Sequence, residues 1–392
     1  MTDRPPPRRP PLASTTIARL VAIVLLGVMV FGGIGLLGIL DVSTGPGPVG
    51  AAGTPGPGTT EPPGQATAGP GLPTQVPGVV VPPADQSAPV SGSILFVRGG
   101  NVWSVTDRTF SQVTDGGADS WPIWSPGGDR IYVTRTATEV AVAPHEGGFE
   151  KITLEYPSIV SLARDGTDPQ VILDSLYELN GPPDAKFFLQ VVQPDVSPDG
   201  TRFALVSDAP DPFSTDVTLS LLPTDGGRVR NLGLEDEPGL GHNDPEWSPD
   251  GRRIAFTWNG RNGSVGRPRI AIYTVATGAV RLLGDRGFAN PNWSPDGRLL
   301  AVERSDGKGR DLAILDATTG ALVKRLTTAR DSFAPAFSPD GSQIAYLRLA
   351  GQAVDLRLMT LAGDGSHEVV DDRAVTDDGT VDPASPISWA AP

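Results

Sequence analysis

The chain has 392 residues, a net charge of −14 and no cysteine. The four arginines and one aspartate of residues 1–19 are offset by Asp41, Glu61 and Asp85, so residues 91–392 carry the whole negative balance. An acidic body repels phosphate backbones and argues against a nucleic-acid partner, and the missing cysteine excludes disulfides, thiol catalysis and a lipid-modified N-terminal cysteine.

In chain order, residues 1–19 form a short basic stub. Residues 20–40, LVAIVLLGVMVFGGIGLLGIL, hold no charge. At the rise of an α-helix they span about 30 Å, the hydrocarbon thickness of a bilayer. The run exceeds the apolar core of a cleaved signal peptide, so it reads as an uncleaved signal anchor. Arg4, Arg8, Arg9 and Arg19 place the N-terminus in the cytoplasm and all that follows outside. Residues 42–90 contain 12 Pro and 10 Gly, too many for a helix or a sheet ladder. This 41–90 segment is expected to be a disordered tether of roughly 150 Å when extended. The dominance of Arg over Lys, with abundant Gly, Pro and Ala, suggests a GC-rich bacterial genome.

From residue 91 the texture changes to short β-type runs between turns, and an internal repeat emerges. The copies are WPIWSPGGDRIYV at 121–133, PDVSPDGTRFALV at 194–206, PEWSPDGRRIAFT at 245–257, PNWSPDGRLLAVE at 291–303 and PAFSPDGSQIAYL at 335–347. Their turn serines, Ser125, Ser197, Ser248, Ser294 and Ser338, are spaced 72, 51, 46 and 44 residues apart. The last three intervals match one four-stranded propeller blade. In each copy a Pro-x-aromatic strand leads into a tight turn: Ser125-Pro126, Ser197-Pro198-Asp199-Gly200, Ser248-Pro249-Asp250-Gly251, Ser294-Pro295-Asp296-Gly297 and Ser338-Pro339-Asp340-Gly341. Pro presets the second turn position, Asp suits the third and Gly takes the left-handed angle. Two further strands follow, such as Arg269–Thr274 and Val280–Leu283.

A lone blade has two exposed faces, which stacking around an axis buries. Residues 91–117 supply three strands without a first, and Pro386–Pro392 reads as a first strand without successors. Joined, they complete one blade and remove the free edge. The expected fold is therefore all-β, a six-bladed propeller of four-stranded blades with 3+1 terminal closure. The 72-residue interval is read as an irregular insertion at 136–157, with 159–164 and 170–174 as the remaining strands; a seventh blade hidden there is the alternative.

The form Pro-x-Trp-Ser-Pro-Asp-Gly-x-x-Ile-Ala-Phe resembles the WD40-like β-propeller repeat of the TolB family over about residues 91–392. Proteins of that family are periplasmic, non-enzymatic partners of an envelope lipoprotein and carry an additional N-terminal α/β domain. The resemblance implies an extracytoplasmic binding function. Here an anchor and a tether stand in place of the extra domain. Similar propellers precede the catalytic domain of prolyl-oligopeptidase-like enzymes, and no such domain is expected here.

Of the two propeller faces, one carries the Ser-Pro-Asp-Gly turns, whose aspartates are expected to cap their own turns. The other carries the 136–157 insertion, the Asp208–Asp216 loop and the Gly-rich Asn259–Pro268 loop. Asp119, Gln193, His242, Asn243, Asp244, Asn290 and Asp382 fall near the starts of inner strands and are the candidate channel-mouth residues. Carboxylates and amides converging there suit a cation or a peptide terminus. His242 is expected to be a solvated loop side chain. There is no Gly-x-Ser-x-Gly elbow, no His-Glu-x-x-His and no zinc spacing among the three histidines, so no metal, cofactor or catalytic residue is expected. The expected function is a membrane-tethered, non-enzymatic scaffold that binds a protein or peptide partner outside the membrane. The alternatives are a small extracytoplasmic hydrolase or lactonase using a channel-mouth metal, and the sensing domain of a signalling complex.

Overall fold

The computed structural model describes residues 90–145, 147–234, 241–259 and 268–391. The expected anchor at 20–40, the tether, and the centre of the 259–268 loop lie outside the described residues. Six four-stranded antiparallel sheets stand around a common axis, with one small two-stranded sheet beside them.

Blade 1 comprises Ser93–Arg98, Asn101–Thr106 and Thr109–Gln112, completed by Ser388–Ala390 as its innermost strand. Blade 2 comprises Asp119–Trp124, Arg130–His145, Gly148–Ala163 and Gln170–Asp174. Blade 3 holds Val191–Val196, Arg202–Ser207, Thr218–Pro223 and Arg230–Asn231, and blade 4 holds His242–Trp247, Arg253–Trp258, Arg269–Thr274 and Ala279–Leu283. Blade 5 is Phe288–Trp293, Leu299–Ser305, Arg310–Asp316 and Leu322–Arg325, and blade 6 is Ser332–Phe337, Gln343–Ala350, Ala353–Leu361 and Val369–Ala374. The ring closes as the sequence predicts: Ile94 pairs with Trp389 and Leu95 with Ser388. Gly92 makes the closure sterically feasible, because a Cβ at its φ of +87° would lie 2.1 Å from the Ala390 carbonyl oxygen.

The core lies between blades. The aromatic ending the inner strand of blades 4 to 6 packs on the blade before it: Trp247 on Ala204, Leu219 and Leu221, Trp293 on Ala255, Ile270 and Ile272, and Phe337 on Ala301, Leu312 and Ile314. Arg202 and Arg253, from the preceding blades, cover the rings of Trp247 and Trp293 at 5.3 and 4.5 Å.

Each turn is cross-braced by its own polar side chains. In the Ser197 turn, Asp199 accepts from the Ser197 hydroxyl at 2.6 Å and from the Thr201 amide and hydroxyl. The Ser197 oxygen in turn accepts from the Arg202 amide. These bonds, led by that of Ser197, pull the Asp199 pKa down to about 2. Blade 2 varies the theme, with Asp129 taking the bond of Ser125 because Gly127 stands at the usual aspartate position. Gly251 sits at φ +66° with its missing Cβ facing Pro198 of the preceding turn. Gly251→Ala is expected to lower stability by about 1–2 kcal/mol in urea unfolding. Gly116→Ala, in open space without a positive φ, should stay within about 0.5 kcal/mol.

The 136–157 insertion departs from expectation. It is a regular β-hairpin, not an irregular segment. The second and third strands of blade 2 run on past the sheet, paired from Arg130↔Ala163 to His145↔Gly148. The arm stands on the face opposite the Ser-Pro-Asp-Gly turns. One side of it packs on a second hairpin, Leu176–Glu178 with Lys186–Phe188, through Ala141, Ala143, Leu154, Tyr156 and Phe187. Phe187 also stacks on Phe213 of the 208–216 loop at 5.0 Å.

Candidate functional site: the central channel

The inner strand of every regular blade is interrupted at one point. Trp121, Gln193, Asp244, Asn290 and Ala334 have φ between 45° and 57°, and each precedes a proline. The pairing register shifts at the same place in blades 2 to 6, as Asn243↔Thr257 giving way to Glu246↔Ala255 shows. These are β-bulges, which re-aim side chains. Asn and Asp tolerate this left-handed conformation best, whereas Trp121 and Ala334 hold it with less intrinsic support.

Bonds from the preceding blade hold four of the five bulges in place. The Asp244 amide donates to Gln193 Oε1 at 3.0 Å, the Asn290 amide to Thr257 Oγ1 at 2.9 Å, the Ala334 amide to Glu303 Oε1 at 3.0 Å and the Trp121 amide to Ser385 Oγ at 3.0 Å. A second belt lies toward the turns, formed by the residue after the bulge proline in blades 3 to 5 and by Ser388 in blade 1. Asp195 Oδ2 accepts from the Trp247 amide at 2.6 Å, Asn292 Oδ1 from the Phe337 amide at 2.7 Å and Ser388 Oγ from the Trp124 amide at 3.2 Å. Glu246 accepts from the Trp293 amide and from Asn292 Nδ2 at 2.7 Å.

Inside these belts runs a channel of about 520 Å³. Its turn end is framed by Pro126, Pro198, Pro249, Pro295 and Pro339. Its wall is two-sided. Blades 3 to 5 contribute Gln193, Asp195, Asp244, Glu246, Asn290 and Asn292, whereas Trp121, Ile123, Ala336 and Ile387 give the facing wall an apolar character. The described lining holds three carboxylates and no Lys or Arg. Burial pushes the Asp244 carboxyl up to about 6, helped by the charge of Glu303 and opposed by the Thr257 hydroxyl. Burial likewise raises Asp195 and Glu246, and the charge of Asp195 raises Glu246 further. Once ionised, three carboxylates in a narrow low-dielectric tube focus a negative potential that favours cations over anions. Among the described residues no three His, Cys, Asp or Glu side chains converge as a metal-holding group.

Of the seven sequence candidates, the channel lining contains Gln193, Asp244 and Asn290. The other four lie elsewhere. Asp119 is 2% exposed and clasps Arg135 with both oxygens, at 2.7 and 2.9 Å. Asp382 accepts from the Gly100 amide at 2.8 Å. Asn243 bridges Gln193 and Asn259. His242 is a correction: it is buried at 5% exposure, not solvated. Its Nδ1 accepts from the Leu219 amide and its ring packs on Phe256 and Trp258. Burial lowers its pKa to about 4, so the ring is neutral at physiological pH. Asp195, Glu246 and Asn292 were missed. Their signal was present, because a polar residue directly after the proline of a core strand needs a bonding partner.

The sequence model of the TolB beta propeller domain matches residues 159–384, more than half of the chain. The chain belongs to the TolB beta propeller domain family. Among solved structures, this TolB-type propeller is similar to TolB from Acinetobacter baumannii at 19% identity and TM-score 0.56, covering 79% of this chain and 69% of that one. It is similar to a TolB from Agrobacterium tumefaciens at 17% identity and TM-score 0.52, covering 76% and 94%. A chain of a nidogen/laminin complex matches at 14% identity and TM-score 0.51, covering 76% and 98%. At these identities the likeness is one of fold. No curated protein matches the chain.

Proposed function

We propose that this TolB-type propeller is a non-enzymatic scaffold that admits a cationic segment of a protein or peptide partner into its channel. In this reading residues 20–40 anchor it in a membrane, and residues 41–90 hold the ring outside. The single observation that supports the channel assignment is its two-sided wall, with Asp195, Asp244 and Glu246 facing apolar side chains and no base among the described lining. A lysine or arginine side chain has both characters, an apolar stem and a charged tip. Fold-level likeness to propellers in protein complexes is consistent with such a role but carries no partner identity.

Calorimetric titration of the full chain with tetralysine and with tetraglutamate peptides tests this. Tetralysine binding at pH 8 is expected, at least about tenfold weaker at pH 5, where the raised channel carboxyls take up protons. Glu246→Gln should weaken it comparably, and tetraglutamate should not bind. Equal affinity for both peptides, or indifference to Glu246→Gln, rejects the channel as the site.

A further inference from the structure

The hairpin arm of blade 2 has one covered edge and one open edge. Val142, on its first strand, donates its amide to the Asp184 carbonyl, away from the hairpin partner. In an antiparallel ladder both members of such a pair turn their backbone groups outward. Its partner is Lys151, so Lys151, and by the two-residue period Phe149, Thr153 and Glu155, aim N–H and C=O at the opposite edge. Among the described residues the only strand paired on that edge, Gln170–Asp174, begins its pairing at Ser158. Among the described residues no strand pairs with 149–157 there. An open edge of this length invites another strand.

The side chains choose the strand. Lys151, Thr153 and Glu155 are exposed and share one face. Lys151 and Glu155 stand about 13 Å apart along the strand, too far to pair within the chain, and neither forms a salt bridge among the described residues. If a second copy lies antiparallel across a two-fold axis through Thr153, every partner follows from the numbering. Thr153 meets Thr153, Lys151 meets Glu155 and Glu155 meets Lys151, while on the other face Ile152 meets Leu154. A shift by two residues either way loses both charge pairs, and a shift by four opposes like charges, which destabilises a sheet. The backbone agrees with this register, because the residues it pairs through hydrogen bonds are those whose amides face outward. Pro157, which has no N–H, falls at the end of the pairing opposite Phe149.

We propose that the open edge of the arm, residues 149–157, is a self-complementary interface through which two copies of this chain join by antiparallel strand pairing centred on Thr153. The interface is isologous and closes on itself as a dimer. It is separate from the channel and presents two channel mouths from one assembly.

The absence of cysteine makes a direct test available. The full chain carrying Thr153→Cys is treated with a short bismaleimide. Efficient dimer crosslinking is expected, whereas Thr138→Cys, on the neighbouring strand and roughly 20 Å from its copy in the paired sheet, should crosslink about tenfold less. Adding Lys151→Glu or Glu155→Lys should reduce the Thr153→Cys product about tenfold, and the two changes together should restore it. Both residues are exposed, and circular dichroism confirms that the variants stay folded. Self-association through residues 20–40 would ignore these swaps. Equal crosslinking at Thr138→Cys and Thr153→Cys, failure of the double swap to restore the product, or crosslinking of the arm to a different protein each overturns the proposal.

Discussion

Truncation after Ser385 is expected to lower the unfolding temperature by about 10 °C or more and to convert one cooperative transition into a broader one. The expectation follows from what Ser388–Ala390 do. They are the innermost strand of blade 1, paired with Ser93, Ile94 and Leu95, whose side chains are at most 1% exposed. Trp389 packs with Ile94 and Phe96 and donates its indole N–H to the Ser91 carbonyl at 2.8 Å. Ser388 completes the belt by accepting from the Trp124 amide. Removing the strand exposes the Ser93–Arg98 edge and breaks the ring at its one non-covalent seam, for a loss of roughly 5 kcal/mol. Trp389→Ala removes the side chain but keeps the backbone pairing and should fall about halfway. Scanning calorimetry of the three chains decides it, and a truncated chain that melts with the parent would mean that the ring does not depend on its seam.

The second large effect is electrostatic. Asp195→Asn with Glu246→Gln is expected to stabilise the protein at pH 8 by about 2–4 kcal/mol while abolishing tetralysine binding. Both carboxyls have raised pKa values in the folded state because they are buried. A raised carboxyl gives stability that is fully present below its unfolded value, near 4, and lost as pH rises through its folded value. Asp244, raised to about 6, and Asp208, raised by burial to about 7, act in the same direction. The parent should therefore lose stability between about pH 5 and 8, and the double variant should lose much less. Both side chains keep part of their surface toward the cavity, which moderates the penalty. Below pH 4 the sign reverses, because Asp199, Asp250, Asp296 and Asp340 have lowered values and lose their turn bonds on protonation. Chemical unfolding of both proteins from pH 4 to 8 measures the slope. A stabilised variant that no longer binds would mark these acids as retained for binding against the interest of stability.

The repeat made the ring legible. Five copies, the last four at blade spacing, plus two incomplete ends, specify six blades and the 3+1 closure, because only a ring buries every sheet face. The arm was misread for a local reason. Its packed face carries Ala141, Ala143, Ile152 and Leu154, and Gly147 supplies the turn, but Val140 and Val142 on the other face weaken the contrast that normally marks a half-buried strand. Gln193, Asp244 and Asn290, each just before the proline of its inner strand, line the channel because the bulge aims them inward. His242 stands two residues earlier, where regular pairing with Trp258 turns the ring into the blade 3–blade 4 sandwich. A bulge resets the alternation of a strand, and no propensity marks on which side of the reset a side chain emerges.

The five prolines framing the turn end of the channel have no rotamers to freeze, and Pro126, Pro198, Pro249 and Pro295 each lean on the glycine of the next turn. Such a rim is a fixed aperture. Whatever passes it is sorted by girth without a gate having to move, and an incoming chain gives up only its own conformational freedom.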